Sequence, residues 1–209
     1  MQKPGKIYLV FNKPYGVLCQ FTDEMGRRTL KDYIKIPGVY PVGRLDIDSE
    51  GLLFLTNDGD VNSLLSNPRN KVYKTYLAQV EGVPTDEMLG TLRKGVVIKG
   101  EKTLPAKVKI LRNDPKLWER EKPVRFRETI PTSWIEIQIC EGKNHQVKRM
   151  TSAVGFPCLR LIRTGIGQFF LGTLMPGRYT AIKKPVKILA VGHDLLAHSP
   201  NTKNNKKIF

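Results

Sequence analysis

Cysteine is scarce and scattered. The 209 residues hold three, Cys19, Cys140 and Cys158. They are odd in number and form no C-x-x-C pair, which excludes a disulfide framework and a cysteine zinc site. Long apolar runs are missing too. The run behind the basic N-terminus covers only residues 7–11, short of the roughly 7–15 residues of a secretory segment or the ~20 of a membrane span. Free thiols without a targeting segment fit a reducing compartment, so a cytoplasmic protein with no membrane association is expected. Acidic residues are also few, 19 against 35 Lys and Arg, for a net charge of +16. Such an excess carries no information about fold but favours a polyanionic partner.

What is present suffices for a core. Hydrophobic residues make up 40% and charged residues 26% of the chain, an ordinary globular balance that bounds the protein to one domain or two small ones. Residues 7–11, 39–43 and 51–56 read as strands, and Asn57-Asp58-Gly59-Asp60 offers an N-cap to a helix over 61–66. Val72, Lys74, Tyr76, Ala78 and Val80 alternate onto one strand face, as do Ile135, Ile137 and Ile139. Pro84-Thr85-Asp86-Glu87 opens a helix with Met88, Leu89 and Leu92 as its apolar stripe, and Gly95 ends it. Segments 96–98 and 104–111 are strand-like, whereas 113–128 mixes both charge signs without a period and reads as a loop. Asn144 is placed to cap a helix whose buried face carries Val147, Met150 and Val154. Strands follow at 156–162 and 179–182. From residue 183 the chain has six lysines and one Asp, and reads as a basic, partly flexible extension. Strands outnumber helices without a βαβα rhythm, which predicts an α+β fold with a mixed, largely antiparallel sheet.

Chemistry concentrates in Gly43-Arg44-Leu45-Asp46-Ile47-Asp48-Ser49-Glu50-Gly51. The acids suit several positions of a calcium loop, but Asn57 stands where a bidentate Glu is required and the flanks are strands, so an EF-hand is disfavoured. A solvated charged turn is the plain alternative. Against it, Arg44 and Asp46 are two residues apart and share a side of an extended segment, and the loop runs into the apolar residues 52–55 that anchor it. A carboxylate held there is a nucleophile if a cation keeps it ionised.

These residues resemble the central motif of the RsuA-like branch of the pseudouridine synthases. Phe11-Asn12-Lys13-Pro14 resembles that family's opening motif and Lys74-Thr75-Tyr76 its Lys-x-Tyr strand. The third motif is resembled by Glu141-Gly142-Lys143-Asn144-His145-Gln146-Val147-Lys148-Arg149-Met150, and the segment after it by Leu159-Arg160-Leu161-Ile162-Arg163. The match spans roughly residues 6–182, and four ordered motifs are far more specific than one. Gln20 to Glu24, Ile130 to Trp134 and Val154 to Pro157 are most similar to a subgroup acting on 23S large-subunit rRNA. His145 departs from it, where Arg is more usual. Family members commonly carry a preceding S4-type RNA-binding domain, for which the opening motif at Ile7 leaves no room.

The resemblance implies a two-subdomain fold with a central catalytic cleft over residues 1–182, followed by the extension 183–209. It implies isomerisation of uridine to pseudouridine in 23S rRNA, free or in a precursor particle, by a monomer that uses no cofactor and no metal. Asp46 is then the nucleophile, acting on ribose or base. Arg44 enters the RNA stack or holds a phosphate, Tyr76 stacks on the extruded uracil, and Lys148 is the cation paired with Asp46. Lys13, Lys74, Arg149, Arg160 and Arg163 become contacts to the RNA backbone, which position without reading sequence. Two alternatives stand beside this: a non-catalytic rRNA-binding or assembly protein, and a metal-dependent nuclease built on Asp46, Asp48 and Glu50.

Overall fold

The computed structural model describes residues 5–183 except residue 126. In chain order its elements are β1 (Tyr8–Lys13), β2 (Tyr40–Pro41), β3 (Glu50–Thr56), α1 (Gly59–Ser66), β4 (Lys74–Glu81), α2 (Asp86–Lys94), β5 (Val97–Ile98), β6 (Glu101–Lys102), β7 (Lys107–Ile110), β8 (Thr132–Ile139), α3 (Gln146–Ala153), β9 (Cys158–Ile166), β10 (Phe169–Phe170) and β11 (Tyr179–Ala181). Among the described residues, nine strands form one sheet in the order β11-β1-β3-β9-β4-β8-β7, with β2 on β3 and β10 on β9; β5 and β6 form a separate ribbon. No helix among the described residues is long and apolar enough to cross a membrane.

The sheet is antiparallel throughout except where β3 meets β9. These two run parallel through Glu50–Ile162 and Gly51–Arg163 alone. This short contact is the seam between the two halves of the α+β fold. Gly51 makes it possible: its φ is +102°, and a Cβ there would stand 2.2 Å from the Arg163 carbonyl oxygen, so only glycine lets the backbones meet. Immediately before the seam, residues 42–49 leave the sheet as a loop.

The apolar patterns explain the two halves. Both faces of β1 and β3 are covered. Leu9, Phe11, Leu53 and Leu55 pack with Leu30 and Ile34, whereas Tyr8, Val10, Leu52 and Phe54 pack with Val61 and Leu65 of α1. Strands covered on both sides read as continuous apolar runs. β4 and β8 are covered on one face, so Tyr76, Ala78, Val80, Ile135, Ile137 and Ile139 alternate into a core shared with α2 and α3. Fully burying each large aliphatic side chain stabilises the fold by about 1.5–3 kcal/mol.

Some local expectations are corrected. Of residues 39–43 only β2 is strand; past Pro41 the Val42 N–H still donates to the Phe54 carbonyl at 2.8 Å, and Gly43, at φ +66°, then turns the chain out of the ladder. Of 104–111 only β7 pairs, beginning two residues after Pro105. Met88 is 39% exposed, leaving Leu89 and Leu92 as the buried stripe of α2. Asn144 does not cap α3; His145 holds that position at φ +51° with no side-chain cap, and the Asn144 Oδ1 accepts from Arg149 Nη2 at 2.8 Å. The described residues of 113–128 contain no helix or strand. Apart from Lys183, the basic extension lies outside the described residues.

Candidate active site

The 42–49 loop is strapped down along its length. The Leu45 N–H donates to Cys19 Sγ at 3.2 Å, the Gly16 N–H to the Ile47 carbonyl at 2.8 Å, and the Ser49 N–H to the Asp46 carbonyl at 3.1 Å. Leu45 is buried in the core under β4 and α3, so its neighbours Arg44 and Asp46 are turned toward the cleft. Gly43, at φ +66°, supplies the left-handed turn that starts the loop.

Asp46 lies in a cleft also lined by Arg44, Lys74, Tyr76, His145 and Arg163. The cleft opens over the β3–β9 seam, and its walls come from the loop, β4, the start of α3 and β9. The Asp46 side chain is 28% exposed, and its Oδ2 lies 3.3 Å from Lys148 Nζ and 3.1 Å from His145 Nδ1. Lys148 also contacts the Asp48 carboxylate. Burial opposes ionisation of Asp48, but the hydrogen bond and charge of Lys148 outweigh it and hold the carboxyl below its usual range. Tyr76, on the buried face of β4, is 8% exposed, with its ring at the cleft wall. Arg44 is exposed at the rim and forms no ion pair among the described residues.

The basic residues expected as RNA contacts divide. Lys13 is fully buried and donates to the carbonyls of Val17 at 2.7 Å, Pro14 at 3.0 Å and Ile47 at 3.4 Å. It is a strut beneath the 42–49 loop, out of reach of RNA. Burial lowers its ammonium to about 8. Arg160 is likewise interior, bidentate on Glu50 at 2.8 and 3.0 Å. Arg163 is 3% exposed and its Nε donates to the Leu52 carbonyl at 2.8 Å. Arg163 Nη2 and Ser49 Oγ, both buried and both from residues lining the cleft, have no hydrogen-bond partner among the described residues. Lys74 is half-buried at the cleft, its ammonium pushed down by burial and by the Arg163 charge. Arg149 remains at the surface beside Asn144.

Sequence reasoning missed the place of His145. Its left-handed backbone costs about 1–2 kcal/mol for a residue with a Cβ and brings the imidazole onto Asp46. The signal was its departure from the usual Arg of the motif. The same reasoning weighed Glu50 only as a metal-binding acid and missed its pairing: Glu50 is 1% exposed and bound to Arg160, which leaves Asp48 and Asp46 to Lys148. The three acids of the loop therefore do not converge as a metal-ligand set.

The chain is similar to known proteins over most of its length. The family model for RNA pseudouridylate synthase matches residues 7–153. A Vibrio vulnificus protein named ribosomal large subunit pseudouridine synthase E is 54% identical over 177 residues, covering 85% of this chain and 75% of its own. A Xanthomonas axonopodis pv. citri protein of the same name is 52% identical over 170 residues, covering 80% of this chain and 90% of its own. A structure described as the crystal structure of pseudouridylate synthase superposes with a TM-score of 0.70 at 28% identity, covering 86% of this chain and 71% of that one. With a family model spanning most of its length and relatives above half identity, this chain belongs to the RNA pseudouridylate synthase family.

Proposed function

We propose that the protein isomerises a uridine of 23S large-subunit rRNA to pseudouridine, with Asp46 as the nucleophile. The observation that carries this is the Asp46 carboxylate, 28% exposed in the cleft and held by Lys148 and His145. In the net reaction the C1′–N1 bond breaks, the uracil turns, and a C1′–C5 bond forms. The C5 proton is lost and N1 gains one, so the composition is unchanged. Asp46 opens the sequence by attack on ribose or base. Lys148 Nζ sets its positive charge 3.3 Å from that carboxylate.

Reaching such a uridine requires taking it out of the stack. Arg44, exposed at the cleft rim, fills the gap or holds a phosphate, and Tyr76 receives the uracil on its ring, with the phenol near the proton to be moved from C5. The unpartnered donors of Arg163 and Ser49 suit the polar edge of the base or its phosphate. Lys74 and Arg149 serve the flanking backbone. The protein works as a monomer in the cytoplasm on free rRNA or a precursor particle, with residues 1–182 as the catalytic unit and 183–209 as a basic extension. The +16 charge and free thiols support this reading.

The test is isomer mapping of rRNA from cells lacking the gene, then complemented with wild type or Asp46→Asn. Wild type is expected to restore one pseudouridine and Asp46→Asn none, while the purified variant keeps nearly full RNA affinity. Restoration by Asp46→Asn overturns the assignment, and an affinity lost together with product favours a binding role for Asp46.

A further inference from the structure

The outgoing end of the catalytic loop is tied to a distant segment by one indole. Glu50, four residues after Asp46, is the first residue of β3 and is 1% exposed. Its Oε1 accepts from Arg160 Nε at 2.8 Å, and its Oε2 accepts from Arg160 Nη2 at 3.0 Å and from Trp118 Nε1 at 2.7 Å. Arg160 Nη2 also donates to the Trp118 carbonyl at 3.1 Å, so the three residues form a closed ring of hydrogen bonds. Trp118 belongs to the long connection between β7 and β8, which is docked further along by Arg120 over the Tyr15 ring at 4.4 Å and by Glu121 on Arg28 at 2.8 Å. Its own ring packs on the cluster formed by Tyr8, Val10, Leu52 and Phe54.

We propose that Trp118 is a positioning residue for Asp46: its indole N–H fixes Glu50, and Glu50 fixes the exit of the loop that carries Asp46. The backbone tethers of the loop named above reach Leu45 or Ile47 from the N-terminal segment or close the turn within it, and Lys148 and His145 hold its carboxylates, so Glu50 is where the second half of the molecule holds the exit of the loop. The Arg160–Glu50 pair alone leaves the carboxylate free to pivot about the guanidinium plane. A third donor from a different direction removes that freedom. A displacement of ~1 Å at a reacting group costs up to about 100-fold in rate, which makes such a restraint matter to turnover while adding little to affinity. The inference rests on Asp46 being the reacting group.

Trp118→Phe keeps an aromatic ring on the cluster and deletes the N–H. Glu50 retains both Arg160 bonds, so the fold survives. Under single-turnover conditions with saturating enzyme, the rate is expected to fall roughly tenfold with the RNA dissociation constant unchanged. Amide exchange is expected to quicken at residues 42–50 and to stay as in wild type at 52–55 of β3. An unchanged rate with unchanged exchange overturns the proposal. So does weaker RNA binding at an unchanged bound-state rate, which makes Trp118 part of an RNA contact, or exchange that quickens across the whole sheet, which makes it a general stabiliser. Asp46→Asn run alongside separates the two ideas: activity in that variant sinks the nucleophile assignment, whereas local exchange in Trp118→Phe reports the tether independently of chemistry.

Discussion

Lys148 Nζ meets Asp46 Oδ2 at 3.3 Å across 102 residues of sequence, and the same ammonium also takes Asp48. One cation thus serves two carboxylates, and the two are unequal. Asp46 is further supported by His145, whereas Asp48 is nearly half exposed at the mouth of a second, basic groove lined by Arg120, Lys122 and Arg125.

This sharing predicts opposite outcomes for the two acids. Lys148→Met leaves Asp46 with the imidazole alone and is expected to lower the single-turnover rate by about 100-fold or more. The site is partly open to water, so the stability loss stays below the ~3–5 kcal/mol of a broken dry pair. Asp48→Asn frees Lys148 for Asp46 and is expected to keep activity within a few-fold of wild type. Quench-flow rates and urea midpoints check both. An inactive Asp48→Asn would mean that Asp48 takes part in the chemistry.

Lys13 gives the stability a pH signature. Its folded value is near 8, against 10.5 ordinarily. Between those values the unfolded chain holds the proton and the folded one releases it, so this group makes stability rise with pH across that window. The full effect is about 3 kcal/mol. Urea unfolding of wild type and Lys13→Met from neutral to alkaline pH is expected to show a steeper rise for wild type. Parallel curves would mean that Lys13 is not desolvated.

Arg44 should matter in proportion to how firmly the target uridine is stacked. On a paired RNA stem, Arg44→Ala is expected to slow single turnover by roughly 10–100-fold, and an unpaired target uridine should recover most of that loss, because unstacking costs a few kcal/mol. A deficit equal on both substrates would argue that Arg44 acts after eversion.

Asp58 gives the first half an acid-sensitive contact. Tyr8 Oη donates to it at 2.7 Å and Lys6 Nζ at 3.1 Å, and these hydrogen bonds pull its carboxyl down to about 2. A depressed carboxylate contributes stability above its unfolded value, and that contribution is lost as pH falls through the folded one. Asp58→Asn is expected to flatten acid unfolding below about pH 4, as followed by circular dichroism. An unaltered acid transition would assign it to other groups.

The elements were legible in the sequence because they are local in origin, and the grouping at the cleft was legible only through the family resemblance, since its members lie up to 102 residues apart. Alternation at Tyr76, Ala78 and Val80, the continuous run of β3 and the 3–4 spacing of Val147 and Met150 each follow from backbone period and burial, and ordered motifs carried Asp46, Tyr76 and Lys148. What the sequence left open was which cations are inside. Lys13, Arg160 and Arg163 look like surface charges until the fold supplies their partners. These are loop carbonyls for Lys13, a carboxylate 110 residues away for Arg160 and a β3 carbonyl for Arg163. A charged side chain is buried or solvated according to whether such partners surround it. Residue type does not encode that. Tertiary structure alone decided it, as it decided that an indole from an irregular loop would close on Glu50.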